Sequence, residues 1–112
     1  MRIIFIVSLT IIYSYANNYN ELFFNGNCVT CHFKNKSVSA PSIAQIKHRY
    51  INAFPDKENF INYMSAWVKK PNAETSLMHD AIKEYEIMPE LGFDLNTLKD
   101  ISQYIYETDF KK

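Results

Sequence analysis

The sequence predicts an all-α fold, one small domain of about four to five helices. Three observations carry this. Apolar residues recur at helical spacing in four stretches, and no stretch of any length alternates apolar and polar residues as a strand would. Only two glycines and four prolines occur in 112 residues, 47% of them hydrophobic, a balance that favours a folded helical chain over a disordered one.

The first helix is expected over roughly Tyr19 to Cys31, with Asn18 or Asn20 as its cap and Leu22, Phe23 and Phe24 as its apolar content. Phe33 to Ala40 is polar and lysine-bearing and reads as a loop. Pro41 follows, then a short stretch with Ile43, Ile46 and Tyr50 that holds a helical turn or two. Asp56, after Pro55, caps the next helix, in which Phe60, Met64, Trp67 and Val68 share a face up to Pro71. A shorter helix is expected over about Thr75 to Tyr85, with Leu77, Met78, Ala81, Ile82 and Tyr85 on one side. Ile87 to Gly92 is marked as a loop by Pro89 and Gly92. The last helix runs from about Leu95 to Glu107 and turns Leu98, Ile101, Tyr104 and Ile105 inward. There is no internal repeat.

The N-terminus has the layout of an export signal. Met1-Arg2 is a short positive start, Ile3 to Tyr13 is apolar except for Ser8 and Thr10, and Ser14-Tyr15-Ala16 offers small residues where signal peptidases cut. The apolar run falls short of the about 20 residues that span a bilayer. Residues 1–16 are therefore expected to be a signal peptide and 17–112 the folded domain, exported to the periplasm without a stable membrane anchor. Without Arg2 the domain carries 11 basic and 12 acidic residues, a balance that gives no reason to expect nucleic acid as a partner.

Both cysteines fall in one pentapeptide, Cys28-Val29-Thr30-Cys31-His32. C-x-x-C-H is the attachment pattern of c-type haem. Thiols at i and i+3 add to the two vinyl groups of one porphyrin, and the adjacent histidine is held under the ring, where it can bind iron. A thioredoxin-type disulfide would sit at a helix start after a buried strand, and no such strand precedes Cys28. A structural zinc site wants a second Cys/His pair at ligand spacing, whereas His48 and His79 stand alone. One motif implies one covalently bound haem c. Covalent haem attachment takes place outside the cytoplasm in bacteria, which agrees with the export signal.

The opposite axial position of such an iron has five candidates: Met64, Met78, Met88, His48 and His79. Met64 and Met78 lie on apolar helix faces, where a thioether normally fills core space. Met88 stands in a loop immediately before Pro89, which biases it towards an extended conformation and can aim its sulfur.

On these residues the chain resembles the class I cytochromes c, over essentially all of 19–112: Cys28-Val29-Thr30-Cys31-His32 near one end, Met88-Pro89 towards the other, and a final helix with Ile101 and Tyr104. The resemblance implies helices wrapped around the haem, with the first and last packed across each other through Phe24 and Tyr104. It implies His32 and Met88 as axial ligands, and a hydrogen bond from the far nitrogen of His32 to the carbonyl of Pro41, although Ala40 stands where the family has glycine. It also suggests Trp67, Tyr50 or Arg49 as contacts of a haem propionate. Cytochromes of the four-helix-bundle type carry their motif near the C-terminus, unlike this chain.

His/Met ligation leaves no vacant coordination site and favours the ferrous state. The expected function is one-electron transfer, not enzymatic catalysis, by a monomer that meets redox partners transiently: a quinol-oxidising complex, a terminal oxidase or another periplasmic oxidoreductase. The alternatives are a haem module of a larger oxidoreductase, or a ligand sensor with a displaceable methionine.

Overall fold

Side-chain caps start two of the helices of this chain, the one that follows Ser42 and the one that follows Asp56. The computed structural model describes residues 19–29 and 31–110. The expected signal segment 1–16 and the Asn18 cap lie outside them. The described residues contain helices and one 3-10 turn, and no strand. No helix among them is long and apolar enough to cross a membrane.

Among the described residues helix α1 covers 19–27 and stops before the cysteines, short of the expected end at Cys31. Asn27 Nδ2 donates to Phe23 O at 2.9 Å, so an asparagine side chain competes for a last-turn carbonyl where the helix stops. Ser42 caps α2, Ile43–Ala53, by accepting the Gln45 N–H at 3.2 Å. This is a full three-turn helix, longer than the turn or two the thin apolar stripe suggests. Asp56 caps α3, Lys57–Lys69, through the Asn59 N–H at 3.2 Å. Glu58 in its first turn and Lys69 in its last complement the helix dipole.

The expected helix from Thr75 is two pieces. Asn72 Oδ1 accepts the Glu74 N–H at 2.9 Å and starts a 3-10 turn, Ala73–Thr75. Ser76 Oγ then takes the Met78 N–H at 3.0 Å, and α4 begins only at His79 and runs to Tyr85. Glu86 follows with φ +69° and ψ 172°, which reverses the chain into an irregular loop that Gly92, at φ +77°, closes. The final helix α5, Leu95–Glu107, matches its expected bounds.

The core gathers one buried residue or more from α1, α2, α3 and α5: Phe24, Ile43, Tyr50, Phe60, Met64, Ile101 and Ile105, with Phe110 from beyond α5. Helices α3 and α5 share the most extensive contact among the later elements. Phe60 is fully buried and meets Tyr106 edge-on at 5.1 Å. Met64 belongs to this core, which accounts for it as packing. Phe24, also fully buried, joins α1 to the end of the chain: its ring lies 5.1 Å from that of Tyr104 and 5.6 Å from that of Phe110.

Removing a fully buried aromatic costs about 3–5 kcal/mol, and an exposed residue within about 0.5. Phe24→Ala is therefore expected to lower the unfolding free energy by that larger amount, while Leu22→Ala, at a side chain 70% exposed, leaves it nearly unchanged. Urea unfolding of the two variants checks this, and equal effects would contradict the packing described.

Candidate haem-attachment site

The C-x-x-C-H residues begin where α1 ends. Phe24 O accepts the Cys28 N–H at 2.9 Å, and Cys28 O accepts the His32 N–H at 2.9 Å. The backbone therefore continues α-turn spacing past the helix and brings His32 back over Cys28. Immediately after His32, Phe33 O and Lys34 O accept the N–H groups of Ile43 and Ala44 at 2.9 and 3.0 Å. These two bonds close the 33–42 loop and carry Pro41 back to His32.

His32 Nδ1 lies 2.8 Å from Pro41 O. A carbonyl can only accept, so the proton of this bond belongs to Nδ1, and the neutral imidazole keeps its free lone pair on Nε2. Pro41 is buried, and its carbonyl is presented by the turn into Ser42, itself held by the Ser37 hydroxyl, which accepts the Ser42 N–H at 3.0 Å. This is the arrangement that orients a metal-binding histidine and strengthens it as a donor.

Both cysteines are free thiols, Cys28 half-buried against the core and Cys31 exposed. Burial, and secondarily the charge of Cys31, pushes the Cys28 thiol from its ordinary 9.0 up to about 11. Redox cysteines of C-x-x-C motifs have the opposite property, a stabilised thiolate. Among the described residues no three His, Cys, Asp or Glu side chains gather as a metal cluster would need, so the motif has no partners for a zinc site there. Two unlinked thiols at i and i+3 beside an imidazole with a free Nε2 do fit covalent haem c, with Cys28 and Cys31 as its anchors and His32 as an iron ligand.

The other expected residues lie elsewhere in the fold. Met88 is half-buried in the 86–94 loop, while Met78 is buried just before α4. Trp67, on α3, donates its indole N–H to Asn72 O at 3.0 Å and borders a groove of about 610 Å³ together with Tyr63, Lys70, Pro71 and Ile87. Its N–H is thus committed to backbone. Tyr50 is in the core, where burial, and then Tyr63, raises its phenol above the ordinary range. Arg49 is engaged with Asp80. No hydrogen bond or ring contact among the described residues joins Met88 or Trp67 to the His32–Pro41 pair. His48 is exposed and pairs with Asn52 at 3.2 Å, and His79 is exposed at the start of α4.

No family model, curated protein or solved structure matches this chain. What it does must be argued from the residues themselves.

The raised Cys28 value has a pH consequence. Folding favours the protonated thiol, so its contribution to stability is complete below pH 9 and is lost as the pH rises towards about 11. In the haem-free chain at pH 8, iodoacetamide is expected to modify exposed Cys31 well before Cys28. Peptide mass mapping over time reads the order, and equal rates would contradict the burial of Cys28.

Proposed function

We propose that this protein is a monohaem c-type cytochrome that carries single electrons between partner proteins outside the cytoplasm. The observation that carries the reading is the His32–Pro41 hydrogen bond beside two free thiols at i and i+3. Cys28 and Cys31 would hold the haem through two thioethers. His32 would offer Nε2 to the iron, while Pro41 O keeps the proton on Nδ1 and fixes the ring's orientation. Met88, in the loop after α4, would supply a neutral sulfur as the second ligand. When bound, haem supplies an iron that takes up and gives away one electron.

With both His32 and Met88 as ligands, the iron would keep no open site for oxygen, peroxide or substrate, which would separate a carrier from an enzyme or a sensor. A methionine sulfur stabilises the ferrous state and so sets a comparatively high potential. The near-neutral chain fits short-lived encounters with redox partners, steered little by net charge. The apolar run Ile3–Tyr13 before the domain supports delivery to the periplasm, where the cofactor is attached.

Co-expression with a c-type maturation system is expected to give a protein one haem heavier that keeps its colour on a denaturing gel. Replacing Cys28 and Cys31 together by alanine removes the attached haem. In the oxidised protein the near-infrared sulfur-to-iron band should vanish in Met88→Ala and survive in Met64→Leu and Met78→Leu. Ready binding of carbon monoxide by the reduced wild type without denaturation would overturn the carrier reading.

A further inference from the structure

The segment between α3 and α5 is held by polar side chains that reach across to it. From α3, Trp67 Nε1 donates to Asn72 O at 3.0 Å and the Tyr63 hydroxyl donates to Thr75 O. From α2, Arg49 grips both carboxylate oxygens of Asp80 at 2.9 and 2.7 Å, and its Nη1 also donates to Leu77 O at 3.3 Å. At the far end, Lys69 Nζ donates to Phe93 O at 2.6 Å. Arg49 and Lys69 therefore meet the chain on either side of the loop that holds Met88.

The Arg49 contact is the strongest of these. A planar guanidinium matches a carboxylate with two parallel bonds, which fixes orientation as well as distance. It also holds the Asp80 carboxyl down at about 2, so the pair stays charged across the neutral range. One and a half turns beyond Asp80 comes Glu86, at φ +69° and ψ 172°, a conformation almost confined to glycine. A glutamate persists there only where the flanking structure holds it. Met88 follows two residues later.

We propose that Arg49, through its two-bond grip on Asp80, is the positioning residue that sets where the Met88 loop leaves α4 and so keeps the methionine sulfur at the iron. This rests on the reading of Met88 as an axial ligand. The side chains of the pair are 37% and 58% exposed, so its loss changes global stability little. Its effect is local. Lys57–Glu107 provides the control: another 2.7 Å surface ion pair, 43% and 50% exposed, which joins α3 to α5 far from Glu86 in sequence.

The test uses the oxidised haem protein. Arg49→Lys keeps the charge and loses the fork, and Asp80→Asn keeps the shape and loses the charge. Each is expected to weaken the near-infrared band and to let added imidazole bind the iron about five-fold faster, the reach of a well-formed surface pair. Lys57→Gln should do neither, and all three should unfold within a few degrees of the wild type. A wild-type band that Arg49→Lys and Asp80→Asn leave unchanged overturns the latch alone, as does an equal effect from Lys57→Gln. A wild type with no band overturns the methionine ligand and the latch together.

Discussion

The position of the cysteine motif depends on Phe24. The ring of this residue is fully buried between Tyr104 and Phe110, while its carbonyl accepts the N–H of Cys28. One residue thus couples apolar packing at the far end of the chain to the backbone that bears the thiols. Burial of a phenylalanine with two aromatic neighbours is worth several kcal/mol, enough to fix this end of α1 against the end of the chain. Tertiary contact places the motif, and the motif then inherits the rigidity of α5.

From that anchor the geometry is passed on by hydrogen bonds. Cys28 O receives His32, the loop closes where Ile43 and Ala44 pair with Phe33 and Lys34, and Pro41 O is left facing the imidazole. The proline ring fixes φ at that point of the turn, which limits how the chain carrying this carbonyl can move. The consequence is chemical. An imidazole whose Nδ1 proton is held by the Pro41 carbonyl turns Nε2 to the opposite side of the ring.

The elements that could be read from the sequence are those with a clear cap or a broad apolar face. Asp56 and Pro71 bracket α3, and the stripe Leu98, Ile101, Ile105 defines α5. Helix α2 was harder, because Gln45, Lys47, His48 and Arg49 separate its few apolar residues and only Ser42 betrays the start. The start of α4 was obscured because Leu77 and Met78 fit a helical face, yet the Ser76 hydroxyl removes the Met78 N–H from any helix beginning at Thr75. At the candidate site the pentapeptide was legible because its chemistry requires those residues at that spacing. The placement of Pro41 beside His32 came from family resemblance and not from periodicity. The Arg49–Asp80 contact joins residues 31 positions apart and leaves no mark in the sequence. Trp67, suggested for a propionate, spends its N–H on Asn72 O, a carbonyl exposed only once the chain turns at Pro71.

The two halves of the candidate site are therefore stabilised by different physics. Cys28 and His32 are tied to a core of large buried side chains, whose loss would unfold the domain. The 72–94 segment buries Ser76, Met78 and Ala81 and packs Leu77 against the core, and it is tied further by hydrogen bonds from Tyr63, Trp67, Arg49 and Lys69 at or near the surface. Surface bonds of this kind open at far lower cost than a packed core. If Met88 is the second ligand, its hold on the iron depends on those surface bonds as well as on the donor strength of sulfur. The difference between a carrier, which keeps its methionine, and a sensor, which releases it, would then lie in how firmly those few polar contacts hold the loop. Substitutions at residues that never touch the cofactor could move a protein of this design from one behaviour to the other.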